Sequence, residues 1–182
     1  MENLALIGFM GTGKSCVGRI VAEAIHYTFL DTDHVIEGRA HKTIAEIFEQ
    51  DGEPAFRRWE RLIVGELARR TKTVIATGGG LPVDETNLAD LKTHALVVCL
   101  WASPEAIWER VRQHAHRPLL NQGEPLEKIR ELLAVRAPSY RKADVLVSTE
   151  QRSAREVASQ VIHQFHIARA GPPAALAGNE RS

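Results

Sequence analysis

An α/β chain built on a parallel sheet is expected from three features of the sequence. Short apolar runs recur at Leu4 to Ile7, Thr73 to Ala76, His94 to Trp101 and Val145 to Ser148. Helical patterns separate them, which is the rhythm of strands joined by crossover helices. The first run ends at Gly8 in a glycine-rich turn that opens into a helical pattern from Lys14 to about Ile25.

The remaining elements are marked by their ends. Thr43 with Glu46 and Ser153 with Glu156 each suit a capping box, in which a hydroxyl and a carboxylate satisfy each other's backbone N–H groups. Ser103 precedes Pro104 at a first helical position, and Gly52 is placed to stop the helix that Thr43 begins. The stretch from His114 to Pro125 is basic, contains Gly and Pro and has no periodicity, so a mobile surface loop is expected there. From Gly171 onward large apolar side chains are too few to pack, and 171–182 reads as a disordered tail. The chain carries no internal repeat.

Bulk properties narrow the class. A length of 182 residues suits one domain with a substantial core. Lys plus Arg and Asp plus Glu are each 23, so no overall positive field exists to hold a nucleic acid. Mean hydropathy of -0.19 and the short first apolar run point away from a membrane protein or a signal peptide. The only cysteines, Cys16 and Cys99, lack the spacing of a disulfide framework or a zinc site, which favours a reducing compartment, and the cytoplasm is the expected location. Eight histidines, His34, His114 and His116 among them, show no metal-ligand spacing and read as surface or packing residues.

Gly8-Phe9-Met10-Gly11-Thr12-Gly13-Lys14-Ser15 matches the pattern G-x-x-x-x-G-K-[ST], set between an apolar strand and a helix as its mechanism requires. Glycines let backbone N–H groups wrap phosphate oxygens, and the helix N-terminus adds its positive end. Gly11, Thr12, Gly13, Lys14, Ser15 and Cys16 are therefore candidate nucleotide contacts, with Lys14 reaching the β- and γ-phosphates and Ser15 offering its hydroxyl to Mg²⁺. Cys16 reads foremost as a small packing residue, although its place at a helix N-terminus also suits a reactive thiol. No N-K-x-D and no D-x-x-G occurs, which removes the guanine-specificity and switch elements of a GTPase.

Two further motifs bear on the acceptor. Asp31 and Asp33 lie two residues apart after a short apolar stretch, a spacing that points both to one side of an extended segment. One could face a metal and the other an acceptor hydroxyl, or Asp33 could cap a helix beginning near His34. Gly78, Gly79 and Gly80 follow an apolar strand, where they would let a ligand touch backbone N–H groups or would simply form a loop.

Taken together, the phosphate loop, Leu30-Asp31-Thr32-Asp33, Gly52-Glu53-Pro54-Ala55-Phe56-Arg57-Arg58, Gly78-Gly79-Gly80, Arg117-Pro118-Leu119-Leu120 and Arg136-Ala137-Pro138-Ser139-Tyr140 resemble the shikimate kinase family in order and spacing, from about Leu4 to Phe165. The resemblance implies a three-layer P-loop nucleoside-monophosphate-kinase-like fold over residues 1–170, with a substrate-binding helical segment at about 32–61 and a mobile lid at about 112–125. It implies ATP-dependent phosphorylation of the 3-hydroxyl of shikimate, giving shikimate 3-phosphate and ADP on the way to chorismate. Asp33 would contact that hydroxyl, Arg57 and Arg136 would hold the carboxylate, and Gly78, Gly79 and Gly80 would line the acceptor. Arg117 would close over the phosphates, Arg110 and Arg152 would lie near adenine, and Asp31 would hold Mg²⁺ through water beside Ser15. Catalysis would thus fall to Lys14, Asp33 and Arg117, in a chain expected to be a monomer without nucleic-acid or membrane partners.

Arginine suits a carboxylate because its planar fork pairs in bidentate fashion. Departures from the family pattern are Cys16 where Thr is common, Leu81-Pro82 after the glycines, and Arg152 where some members carry Gln. The rival readings are a kinase for another small hydroxy acid such as gluconate and a non-catalytic nucleotide-binding module. Asp31-x-Asp33 and Arg136-x-Pro138 weigh against the first, intact Lys14 and Ser15 against the second.

Overall fold

A computed structural model describes residues 1–112 and 124–170 of the chain. Among them five parallel strands form one sheet: β1 (Asn3–Ile7), β2 (Thr28–Asp31), β3 (Thr73–Ala76), β4 (Ala95–Trp101) and β5 (Val145–Ser148), in the spatial order β2-β3-β1-β4-β5. The central strands read as unbroken apolar runs because both faces are covered. Leu4 and Leu6 point to one layer and Ala5 and Ile7 to the other, all fully buried.

Two cores follow from that alternation. Leu4, Leu6, Val74 and Val98 pack with Val17 and Val21 of α1 (Lys14–Ala24) and with Val157, Val161 and Phe165 of α8 (Ala154–Ala170). On the opposite face Ala5, Ile7, Ile75 and Val97 meet α2 (Thr32–Ala40), α4 (Glu53–Leu67), α5 (Glu85–His94), α6 (Pro104–Val111) and α7 (Pro125–Tyr140). Strand order reverses at β1, so the crevice beyond the C-terminal ends of β1 and β3 is where a ligand belongs in such a sheet.

The end signals hold with two refinements. Thr43 and Glu46 form the capping box of α3 (Ile44–Glu46), which runs into a π-helical turn at Ile47–Asp51 before Gly52 ends it with φ 81°. That same glycine opens α4, so one left-handed residue turns the chain between two helices. Ser153 and Glu156 pair as expected at the start of α8, and Ser103 caps α6. The pair Asp31 and Asp33 does not lie on an extended segment: β2 ends at Asp31 and α2 begins at Thr32. Asp31 is the capping residue, accepting the Asp33 N–H at 3.1 Å, so the cap expected of Asp33 belongs to Asp31. Among the described residues no helix is long and apolar enough to cross a membrane. Arg117, His114, His116, nearly all of the expected lid and the tail at 171–182 lie outside the described residues.

Candidate active site

A cavity of about 570 Å³ opens at the C-terminal edge of the sheet. Gly11, Gly13, Lys14, Ser15, Cys16, Asp31, Asp33, Gly79 and Arg110 all line it, so the phosphate loop and the acidic pair share one wall. The loop starts at Gly8, whose φ of 134° and close approach to the Leu100 carbonyl leave no room for a side chain. Thr12 is buried and donates to the Phe9 carbonyl at 2.8 Å, bracing the loop from inside. Lys14 Nζ donates to the carbonyls of Gly8 and Phe9 at 2.8 and 2.9 Å, which folds the ammonium over the loop it serves. Ser15 Oγ donates to Asp31 Oδ2 at 2.7 Å. Cys16 is exposed on the cavity wall, which corrects the expectation that it packs inside; the buried cysteine is Cys99, whose thiol burial pushes up to about 12.

The glycine run has a more specific part than a bare ligand-contact loop. A Cβ on Gly78 would fall 2.5 Å from Asp33 Oδ1, one on Gly80 would fall 2.6 Å from Arg57 Nη1, and one on Gly79 would fall 3.4 Å from Arg136 Nη1. Each of the three makes room for a different expected acceptor residue. Gly79 also lies against the phosphate loop, with the Gly8 carbonyl and the Met10 N–H at 3.5 and 3.6 Å from the same point. The N–H of Gly78 is already taken by Thr32 Oγ1 at 2.9 Å, so this glycine serves by leaving space and not by offering its own donor.

Electrostatics differ among these groups. Asp33 has a carboxyl pushed up to about 6, first by burial and then by the neighbouring Asp31 carboxylate, with Lys14 opposing. Its Oδ1 is buried and finds no hydrogen-bond partner among the described residues. A buried carboxylate without a partner is costly, and here it faces a cavity beside Lys14. Arg57 donates to Glu53 at 2.8 Å and to Glu60 at 2.7 Å. Glu60 is 1% exposed, and burial pushes its carboxyl above the usual range against the pull of Arg57. Arg136 lies over the Phe9 ring, 5.5 Å from its centroid.

Two residues of this site were not singled out from the sequence. Glu60 stands three residues after Arg57 on one helix, a spacing that signals a pair once the helix is known. Tyr140 stands one turn after Arg136 and donates its hydroxyl to the Gly79 carbonyl at 2.7 Å. Arg110 bridges the nucleotide wall, donating to the Gly11 carbonyl at 3.3 Å and to the Thr149 carbonyl at 2.6 Å. Arg152 instead donates to Gln160 of α8 and is not among the residues lining the cavity.

Residues 10–166 match the sequence profile described as shikimate kinase. The chain belongs to the shikimate kinase family. A shikimate kinase from Thermodesulfovibrio yellowstonii is 42% identical over 165 residues, covering 91% of this chain and 95% of that one. One from Thermus thermophilus is 45% identical over 163 residues, 89% of each. Among solved structures, a shikimate kinase from Acinetobacter baumannii in complex with shikimate superposes with a TM-score of 0.86 at 39% identity, over 91% of this chain and 93% of that one. A gluconokinase from Sinorhizobium meliloti reaches a TM-score of 0.62 at 18% identity over 93% of each chain, which shows a shared fold and carries nothing about substrate.

Proposed function

We propose that this chain transfers the γ-phosphoryl group of ATP to the 3-hydroxyl of shikimate, releasing shikimate 3-phosphate and ADP. The observation that carries the reading is the glycine run: three consecutive residues pack against Asp33, Arg136 and Arg57, and the middle one also packs against the phosphate loop and lines the cavity with Asp33 and Lys14, so two guanidiniums stand next to the wall that holds the acidic group and the ammonium. Family membership and the relatives named shikimate kinase support the same substrate.

In this reading the phosphate loop from Gly11 to Cys16 cradles ATP, and Lys14 leaves its own loop carbonyls for the β- and γ-phosphates. Arg57 and Arg136 take the shikimate carboxylate. A charged fork on each side fixes the ring, which aims the hydroxyl at Asp33. Asp33 then accepts or orients the hydroxyl proton, a part suited to a carboxyl whose pKa lies near 6. Gly79 and Gly80 contribute backbone contacts, Gly78 gives Asp33 its space, and Arg110 flanks the adenine. Arg152 would reach the nucleotide only by leaving Gln160. Arg117 would supply a positive charge to the transferring group as the segment at about 112–125 covers the site, and covering it would keep water from taking the phosphoryl group.

Mg²⁺ fits the residues present. Ser15 Oγ and Asp31 Oδ2 are hard oxygen donors 2.7 Å apart at the mouth of the loop, and this ion takes few protein ligands alongside waters and phosphate oxygens. Among the described residues no cluster of three His, Cys, Asp or Glu side chains could hold a metal unaided, so the nucleotide would complete the shell. When bound, the ion neutralises charge on the β- and γ-phosphates. We read residues 1–170 as one kinase domain, with 32–61 as its acceptor segment, acting as a cytoplasmic monomer.

The test is ADP release by the purified protein with ATP and Mg²⁺, comparing shikimate, gluconate and no acceptor. Release only with shikimate is expected. Equal release with gluconate, or release that ignores the acceptor, would sink the reading.

A further inference from the structure

The two guanidiniums of the acceptor site are held by different means. Arg57 is gripped by the carboxylates of Glu53 and Glu60, whereas Arg136 rests on the Phe9 ring and against Gly79. One turn along α7 from Arg136, Tyr140 is 6% exposed, and its hydroxyl donates to the Gly79 carbonyl at 2.7 Å. A Cβ on Gly79 would fall 3.4 Å from Arg136 Nη1, so the residue whose carbonyl Tyr140 holds is also the surface against which the guanidinium rests. One buried atom therefore ties the helix that carries Arg136 to the loop that carries Gly79.

We infer that Tyr140 is a positioning residue for the acceptor substrate: its bond to the Gly79 carbonyl ties α7 to the loop after β3 and so holds the Arg136 guanidinium against Gly79 in the one arrangement that receives a carboxylate. The inference deepens the proposed function, because it rests on Arg136 as a carboxylate ligand. Arginine has many rotamers, and a fork already held loses less freedom when its ligand arrives. A guanidinium offers five N–H donors, and packing against Gly79 and the Phe9 ring leaves donors for the substrate. The donor also persists across the working pH range: burial pushes the phenol up to about 12, with the Arg136 charge opposing, so it keeps its proton. The ring alone would fill the same volume. Only the hydroxyl makes the bond to Gly79.

The experiment uses the whole protein and the variant Tyr140→Phe, which removes one oxygen. KM for shikimate should rise about five- to tenfold, the scale of a lost buried hydrogen bond, while KM for ATP and kcat stay within about twofold. In an Arg136→Lys background the same substitution should change KM for shikimate by less than about twofold, because the group that Tyr140 holds is gone. ADP affinity, measured by calorimetry, reports on the fold apart from the acceptor. An unchanged KM for shikimate in Tyr140→Phe overturns the inference. So does an equal rise with and without Arg136, or a loss of ADP affinity and acceptor affinity together, which would mark a merely structural role. Turnover by the unsubstituted protein tests the functional reading separately; its absence overturns both.

Discussion

The proposed nucleotide wall and the proposed acceptor wall of the site are built on opposite plans. The first is one contiguous loop whose donors are backbone N–H groups and whose side chains bond back to its own carbonyls, as Thr12 and Lys14 do. The second is assembled from β2 and α2, α4, α7 and the loop after β3, segments that meet across long sequence separations at the glycine run. A backbone cradle tolerates changes around it, because its geometry is local. An assembled wall transmits small displacements, because Gly78, Gly79 and Gly80 each pack directly against a working side chain.

That contrast can be broken or sharpened by substitution. Lys14→Ala should cost the most, about a thousandfold or more in kcat with shikimate binding retained, since it removes the charge that meets the transferring phosphate. A comparable loss of shikimate affinity, read by calorimetry, would mean that the two walls are not separate.

Asp33→Asn should cut turnover by about a hundredfold or more while ATP binding stays near normal. It should also stabilise the protein. The folded state holds this carboxyl at about 6 against an ordinary 3.8, so between those values it keeps a proton that the unfolded chain has released. Stability is therefore highest below the lower value and falls as pH rises through the upper one. The penalty fully present at pH 8 is on the order of 3 kcal/mol. Asp33→Asn should raise the melting temperature at pH 8 by about 8 °C and give no gain near pH 4. A gain independent of pH would detach the effect from ionisation. For the unsubstituted enzyme, kcat/KM should climb with pH and level off above about 6, as Asp33 loses its proton.

Gly80→Ala tests the assembled wall alone. The new methyl would fall 2.6 Å from Arg57 Nη1, the far end of a flexible side chain, so the fold survives and Arg57 moves. KM for shikimate should rise about tenfold or more with KM for ATP unchanged, and steady-state kinetics in both substrates would show the split. The smallest effect is expected from Arg152→Ala, less than about twofold in KM for ATP, because this exposed residue is bonded to Gln160 away from the cavity. A larger rise would bring it back to the adenine side.

The residues themselves show why the site was partly legible before any coordinates. Arg57 and Arg136 were reached through a family resemblance, since a lone surface charge has no local mark of function, whereas Asp33 was also marked by its spacing from Asp31. Glu60 and Tyr140 were missed because each is defined by what it touches: Glu60 by Arg57 on its own helix, Tyr140 by a carbonyl 61 positions away. Asp31 and Asp33 were paired correctly and for the wrong geometric reason, because a strand-to-helix junction brought them together where an extended segment was expected.

From the chain alone came whatever rests on short-range chemistry. Unbroken apolar runs mean strands covered on both faces, hydroxyl and carboxylate three residues apart mean a helix start, and a glycine loop ahead of Lys14 means a phosphate cradle. Tertiary structure alone decided which partners meet: that Gly78 gives its N–H to Thr32, that Cys16 faces the cavity, that burial and Asp31 lift the Asp33 carboxyl, and that Arg152 turns away. Burial and through-space distance set those outcomes, and neither is a function of neighbours in the sequence.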